Sequence, residues 1–269
     1  MVGNDVVDLG DRETQPESRH PRFDRRVFTA DEYRLIEAGP NSNELRWTLW
    51  ACKESAYKLF KRQNPTTVFS PRAFEVTMAL AARSSHRVSS RDRKDGAQRG
   101  FLSDEATSRT RRYIAEDESR KDPHGVPYLR SQQTAAGEKT GLGPTQVHHQ
   151  GYTAYVQVTV HGDAIHAVAT RSSDDIPRLI SAIGTTESNP SAAVRELARQ
   201  HLARVLTCTP DDIEIVSACD RIPELRIGGS RAQGFISLSH HGRFVGFSAT
   251  LRRFQGVWPS REFTPAALP

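Results

Sequence analysis

Asp5, Glu54 and Lys58 are the ionisable residues whose type and spacing carry the most chemical content. Asp5 interrupts an apolar run of Val2, Val6, Val7 and Leu9 that reads as a short buried strand. An aspartate there is unfavourable unless something binds it, although the Asn4-Asp5 pair equally suits a bulge or a turn. Glu54 and Lys58 belong to WACKESAYK, Trp50 to Lys58, and stand one helical turn apart. Taken alone, such a pair is a surface ion pair contributing roughly 0.2–0.5 kcal/mol. Trp47 and Trp50 share its helix face, which predicts a second, partly buried face where a carboxylate needs a cation or a hydrogen-bond partner. Two carboxylates facing each other beside a lysine suit Mg²⁺, which takes one or two protein carboxylates and completes its shell with water and phosphate oxygens. The chemistry this favours is phosphate chemistry.

The elements that must position these residues follow from periodicity. If 44–61 is helical, Leu45, Leu49, Cys52, Ala56 and Leu59 form one apolar face, the spacing of a helix lying on a sheet. Thr29 N-caps a helix in TADEYRLI, with Asp31 and Glu32 complementing its dipole. Further strands are predicted at 74–80, 152–160, 164–170 and 213–217, with a helix at 192–206. Ile222-Pro223-Glu224 reads as a turn. Residues 236–250, ISLSHHGRFVGFSAT, read as a hairpin whose polar turn contains Ser239, His240, His241 and Gly242.

Three motifs in order, Gly3-Asn4-Asp5, Phe28-Thr29-Ala30-Asp31-Glu32 and Trp50 to Lys58, resemble the G-x-D, F-[ST]-x-x-E and W-x-x-K-E-x-x-x-K motifs of the 4′-phosphopantetheinyl transferases. The terminal hairpin is similar to the Ser-His-Ser-Gly hairpin of the two-lobe surfactin-synthetase type, where it precedes the G-x-D motif instead of following it. The resemblance therefore implies the two halves in circularly permuted order, a change that neighbouring surface termini permit. The implied fold is α+β: two similar lobes related by a pseudo-twofold axis, each a small antiparallel sheet on a long helix, with coenzyme A in the crevice.

The resemblance also implies a reaction and roles. Members move the phosphopantetheine arm of coenzyme A onto a serine of an acyl or peptidyl carrier protein and release adenosine 3′,5′-bisphosphate. Asp5 and Glu54 would hold Mg²⁺, and Lys58 would contact the same phosphates. Lys53 is a weaker candidate for a phosphate contact. Glu32 would take the serine proton, and its reading as an early-helix acid is compatible with that role. Ser239 and His240 would bind the 3′-phosphate, with Arg243 and Arg221 adding charge. His241 stands where the family often has serine. Val7 replaces a second acid found two residues after the first aspartate, and alternation along the strand turns Asp8 away from Asp5, so water is expected in that ligand's place. Ile222 replaces a lysine of the family's Gly-Lys-Pro turn, and the family's nucleotide-holding amino-terminal extension has no clear equivalent, for which Arg195 and Arg199 either compensate or form a solvated basic face.

Composition bounds the remainder. The chain has 269 residues, 36% hydrophobic, with 37 basic and 32 acidic residues and a formal charge of +5. Residues 1–172 are expected to form the lobe carrying the first motifs, 173–189 a linker, 190–254 the hairpin lobe and 255–269 a tail. Residues 83–149, rich in Arg, Ser, Asp, Gly and Gln, read as a mostly disordered insert that holds much of the basic charge. Cys52, Cys208 and Cys219 make no disulfide framework, and neither a signal peptide nor a membrane-length apolar run is read, so a reducing cytoplasm is expected. The expected partners are coenzyme A and an apo carrier protein, met by basic and apolar residues between Arg22 and Arg34, with the protein a monomer and neither nucleic acid nor membrane bound. A nucleic-acid-associated protein would need interleaved aromatics that the basic stretches lack. A homologue that binds coenzyme A or a carrier without turnover is the competing possibility.

Overall fold

A computed structural model describes residues 1–80, 128–129, 142–217 and 222–251. The described chain is a mixed α+β structure of small antiparallel sheets and few helices. Its first half contributes β1 (Val2–Asp8), α1 (Phe23–Val27), α2 (Ala30–Ala38), α3 (Ser42–Gln63), β2 (Glu75–Leu80), β3 (Tyr128–Leu129), β4 (Leu142–His149), β5 (Tyr152–His161) and β6 (Ala164–Thr170). The second contributes β7 (Ile180–Thr185), α4 (Pro190–Leu206), β8 (Ile213–Ser217), β9 (Pro223–Ile227), β10 (Ser230–Arg231), β11 (Gly234–His241) and β12 (Phe244–Leu251). One sheet runs β1-β6-β5-β4-β2, a second β11-β12-β7-β3 and a third β10-β9-β8.

Local chemistry sets the boundaries. The Thr29 hydroxyl accepts from the Glu32 amide while the Glu32 carboxylate accepts from the Thr29 amide, a capping box that starts α2. Asn41 caps α3, and Asn189 followed by Pro190 starts α4. Gly162-Asp163 and Gly242-Arg243 close two-residue hairpins in which the first residue has φ of +56° and +53°, a conformation that glycine adopts without strain.

α3 packs on β1 and β6, and its inner face shares a core with Val7, Val156, Ile165 and Ala167. α4 packs on β7 and β12 over a separate core that includes Leu197, Leu202, Leu225 and Phe247. β1 lies between the two cores. Gly3, Asp5 and Val7 face α3, whereas Asn4, Val6 and Asp8 face β11 and β12.

The outer face of α3 is partly buried, as its spacing predicts, with Phe23 packed against Trp47 and Trp50 and Phe69 against Trp50 and Tyr57. Three expectations change. Residues 239–241 continue β11, and the turn is only Gly242-Arg243, since His241 still pairs with Phe244. Pro223 is no turn residue but opens β9 opposite Ser217, at a strand start where its missing N–H costs no ladder bond. Within the stretch expected to link the lobes, 180–185 forms β7 against β12, with Ala182 and Ile183 buried. The insert expected at 83–149 falls largely outside the described residues. Its end, 142–149, forms β4, which inserts Val147 into the first core.

Candidate functional site

The strand β1 brings Asp5 up to the middle of α3. Lys58 Nζ donates to Asp5 Oδ1 at 2.7 Å and lies 3.6 Å from Glu54 Oε2. One ammonium thus serves two carboxylates, one contributed by a strand and one by a helix. Gly3 makes this closeness possible: a Cβ there would fall 2.1 Å from the Ser55 carbonyl oxygen and 2.6 Å from the Leu59 nitrogen. Burial, then the neighbouring Asp5 carboxylate, push the Glu54 carboxyl up to about 7, against the opposing pull of Lys58. Burial works against the Lys58 charge, but Asp5 and Glu54 outweigh it and raise that ammonium's pKa.

Two carboxylates set against one ammonium have the donor chemistry for a hard cation, and oxygen donors on two carboxylates are what Mg²⁺ takes from proteins. Among the described residues, no group of three or more His, Cys, Asp or Glu side chains has metal-site geometry. Asp8 points to the other side of β1, as alternation requires, so the remaining ligands of a cation at Asp5 and Glu54 would have to be water and substrate oxygens.

Lys53 and Glu32 meet each other instead of the site. Lys53 is fully buried and donates to both Glu32 oxygens at 2.8 Å, to Pro71 O at 3.1 Å and to Phe74 O at 2.5 Å. Lys53 follows Cys52 on the inner face, and its ammonium has no donor left for a phosphate. Glu32 accepts further from the amides of Thr29 and Val76 at 2.8 and 2.7 Å. With both oxygens occupied and the side chain sealed from solvent, Glu32 lacks the access that a base for an incoming hydroxyl needs.

Ser239 and His240 do not converge on one ligand. Ser239 is buried, its hydroxyl accepting from Asn4 Nδ2 at 2.8 Å and donating to Gly246 O at 3.3 Å. His240, the next residue of β11, points to the opposite face and is exposed. Arg243 pairs with Asp8 at 3.2 Å and with Asp163 at 2.5 Å, so it fastens the hairpin to β1. Arg195 bonds Ser191 and Ser217, and Arg199 bonds Glu196 and Asp211, which makes both part of the α4 surface. Ile222 is half-buried, and Arg221 lies outside the described residues.

Sequence reasoning missed a polar seam beside the site. The β1 amides of Asn4 and Asp8 donate to Ser237 Oγ at 3.0 Å and His241 Nδ1 at 3.1 Å. Asn4 Nδ2 also lies 3.2 Å from Nε2 of His166, whose imidazole burial holds neutral by lowering its pKa to about 3. The signal was present as polar residues at 4 and 8 and at 237, 239 and 241, spaced by two as a strand presents one face.

Arg22, Arg25 and Arg26 line a shallow hollow, exposed on α1. Phe23, between them, anchors α1 on Trp50 at 5.7 Å, one turn from Glu54. No helix among the described residues is long and apolar enough to cross a membrane.

A family model for the 4′-phosphopantetheinyl transferase superfamily matches residues 1–115. That stretch holds β1, α1 to α3 and β2, with Asp5, Glu54 and Lys58 among its residues. No curated protein matches the chain.

Proposed function

We propose that this protein transfers the 4′-phosphopantetheine moiety of coenzyme A to a serine hydroxyl of an acyl or peptidyl carrier protein, with release of adenosine 3′,5′-bisphosphate. The observation that carries it is the meeting of Asp5, Glu54 and Lys58 inside the stretch that matches the transferase superfamily. Asp5 and Glu54 are the residues that would hold Mg²⁺. When bound, the cation would neutralise charge on the pyrophosphate as the phosphoanhydride breaks. Lys58 keeps Asp5 in place and presents a raised-pKa ammonium, charged at neutral pH, to the leaving phosphate. Because Glu32 is closed off, the serine proton would leave through water at the mouth of the site. Arg22, Arg25 and Arg26 offer an acidic carrier a landing surface one aromatic layer from Glu54.

The proposal extends to architecture. The pairing order β1-β6-β5 has a counterpart in β7-β12-β11, each with a long helix packed on it and a Gly-X hairpin joining its last two strands. That correspondence supports two related lobes. The position of the hairpin lobe after the Asp5 lobe supports the permuted form of the surfactin-synthetase type. With both lobes in one chain, a monomer can complete the crevice, and the cytoplasm, where coenzyme A is available, is the compartment that suits it.

A non-catalytic homologue that binds coenzyme A or a carrier is the second reading. It is favoured by the burial of Ser239 and the engagement of Arg243 with two aspartates, which leave the 3′-phosphate without the contacts expected of them. Incubation with coenzyme A, Mg²⁺ and a panel of apo carrier proteins, read by intact carrier mass, separates the two. A phosphopantetheine-sized gain that Glu54→Gln loses supports transfer. Coenzyme A binding with no gain on any carrier supports the second reading.

A further inference from the structure

We propose that the buried Lys53–Glu32 pair positions α3, setting the rotation at which Glu54 and Lys58 meet Asp5, and that Glu32 takes no proton during turnover. The inference rests on the site reading given above and assigns to both residues a part different from base or phosphate ligand. The pair ties α3 to two of its neighbours, α2 and the segment that leads into β2. Glu32 belongs to α2 and holds the Thr29 amide of its own cap and the Val76 amide of β2. Lys53 belongs to α3 and holds the carbonyls of Pro71 and Phe74, which lead into β2. The two ions then join these sets at 2.8 Å on both carboxylate oxygens.

The position on α3 gives the pair its leverage. Lys53 immediately precedes Glu54, so its side chain leaves the helix about 100° away from that of Glu54. Rotation of α3 that would move Glu54 off Asp5 would also pull Lys53 from four acceptors, none of which water can replace in a fully buried setting. A well-packed apolar pair would hold the helix by shape alone, which permits sliding. The charged pair holds it by direction, because each ion has satisfied partners in only one arrangement.

Two roles for Glu32 separate in a pair of variants and a readout that needs no carrier. Mn²⁺ binding to the full chain is followed by calorimetry, and transfer by carrier mass. Positioning predicts that Glu32→Gln, which leaves the Lys53 ammonium buried without its counter-ion, weakens Mn²⁺ binding at least 10-fold and lowers transfer with it. The double variant Glu32→Gln/Lys53→Gln, neutral and able to bond amide to amide, recovers both to within about 3-fold of the parent. A base predicts the opposite: Mn²⁺ affinity unchanged in Glu32→Gln, and transfer lost in both variants. That outcome overturns the proposal. Should Glu32→Gln not fold, Lys53→Gln alone and the double variant make the same comparison, since a base at Glu32 survives the first and not the second. A parent that binds Mn²⁺ yet modifies no carrier would sink the transfer reaction while leaving the positioning test to the metal titration. A parent that binds no Mn²⁺ would sink both.

Discussion

Glu32 and Glu54 are both helix carboxylates near a lysine, and environment assigns them opposite characters. Glu32 accepts from three donor groups on three elements, the amides of Thr29 and Val76 and the ammonium of Lys53, which is also its counter-ion. Glu54 shares its lysine with Asp5 and keeps its proton to about pH 7. The sequence showed both acids and both lysines but not which pairs with which, because i,i+4 spacing offers Lys58 to Glu54 while Lys53 finds Glu32 21 residues away. The consequence for stability can be worked out. A carboxyl whose pKa is raised on folding from 4.5 to about 7 binds its proton more tightly in the folded state. Its contribution is complete below the unfolded value and is lost as pH rises through about 7. Metal-free protein should therefore unfold more easily at pH 8 than Glu54→Gln does, by about 1–2 kcal/mol after allowance for partial exposure, with the gap closing near pH 4.5. Urea titrations of both proteins at the two pH values measure it, and a gap independent of pH would mean that folding does not shift the Glu54 pKa.

Element existence was readable where a period was long. The apolar face of α3, the strands at 152–160 and 164–170 and the helix at 192–206 came from repeats of 3.6 or two, which packing on a sheet preserves. β4 and β7 escaped because short strands flanked by Gly, Ser and His look like loop until a partner strand satisfies them. The meeting of β1 and α3 was expected from the pairing of Asp5 with Glu54, but its cause, the missing side chain of Gly3 in the first motif, was not read. Substitution by alanine puts a methyl group inside van der Waals contact of the α3 backbone, at 2.1 and 2.6 Å, where no flexible side chain can yield. Gly3→Ala should destabilise the chain by about 3 kcal/mol and separate Asp5 from Glu54 and Lys58. The midpoint of urea unfolding tests the first expectation. Mn²⁺ titration of the folded fraction tests the second, and affinity equal to the parent's would show that β1 tolerates displacement from α3.

The whole molecule depends on how the two sheets meet, the level at which the sequence says least. Residues 4–8 and 237–243 are some 230 positions apart, yet β1 offers its outward amides to side chains of β11 rather than to a backbone ladder. Such a seam is sequence-coded only as period-two polarity, and the resemblance to a phosphate-binding hairpin gave that polarity another meaning. Arg243 is the cation that fastens it: the guanidinium bridges Asp8 and Asp163, and its amide also donates to Asp8 Oδ2 at 3.2 Å. Gly242 lets the turn approach, since a Cβ would lie 2.7 Å from the same aspartate oxygen. Arg243→Ala keeps the backbone donor and the Gly10 amide on Asp8 but removes the charge that offsets a buried carboxylate. Because the guanidinium is half exposed, the expected loss is modest, about 1–2 kcal/mol. It should be local to the seam. Hydrogen exchange at the Asn4 and Asp8 amides is expected to quicken roughly 10-fold, the kinetic equivalent of that loss, while amides deep in the second core, such as that of Phe247, keep their protection. Arg243→Lys, which can still pair with one aspartate, should fall between. Unchanged exchange at Asn4 and Asp8 would show that the hairpin is held by the Ser237, Ser239 and His241 bonds alone, leaving Arg243 available for a ligand.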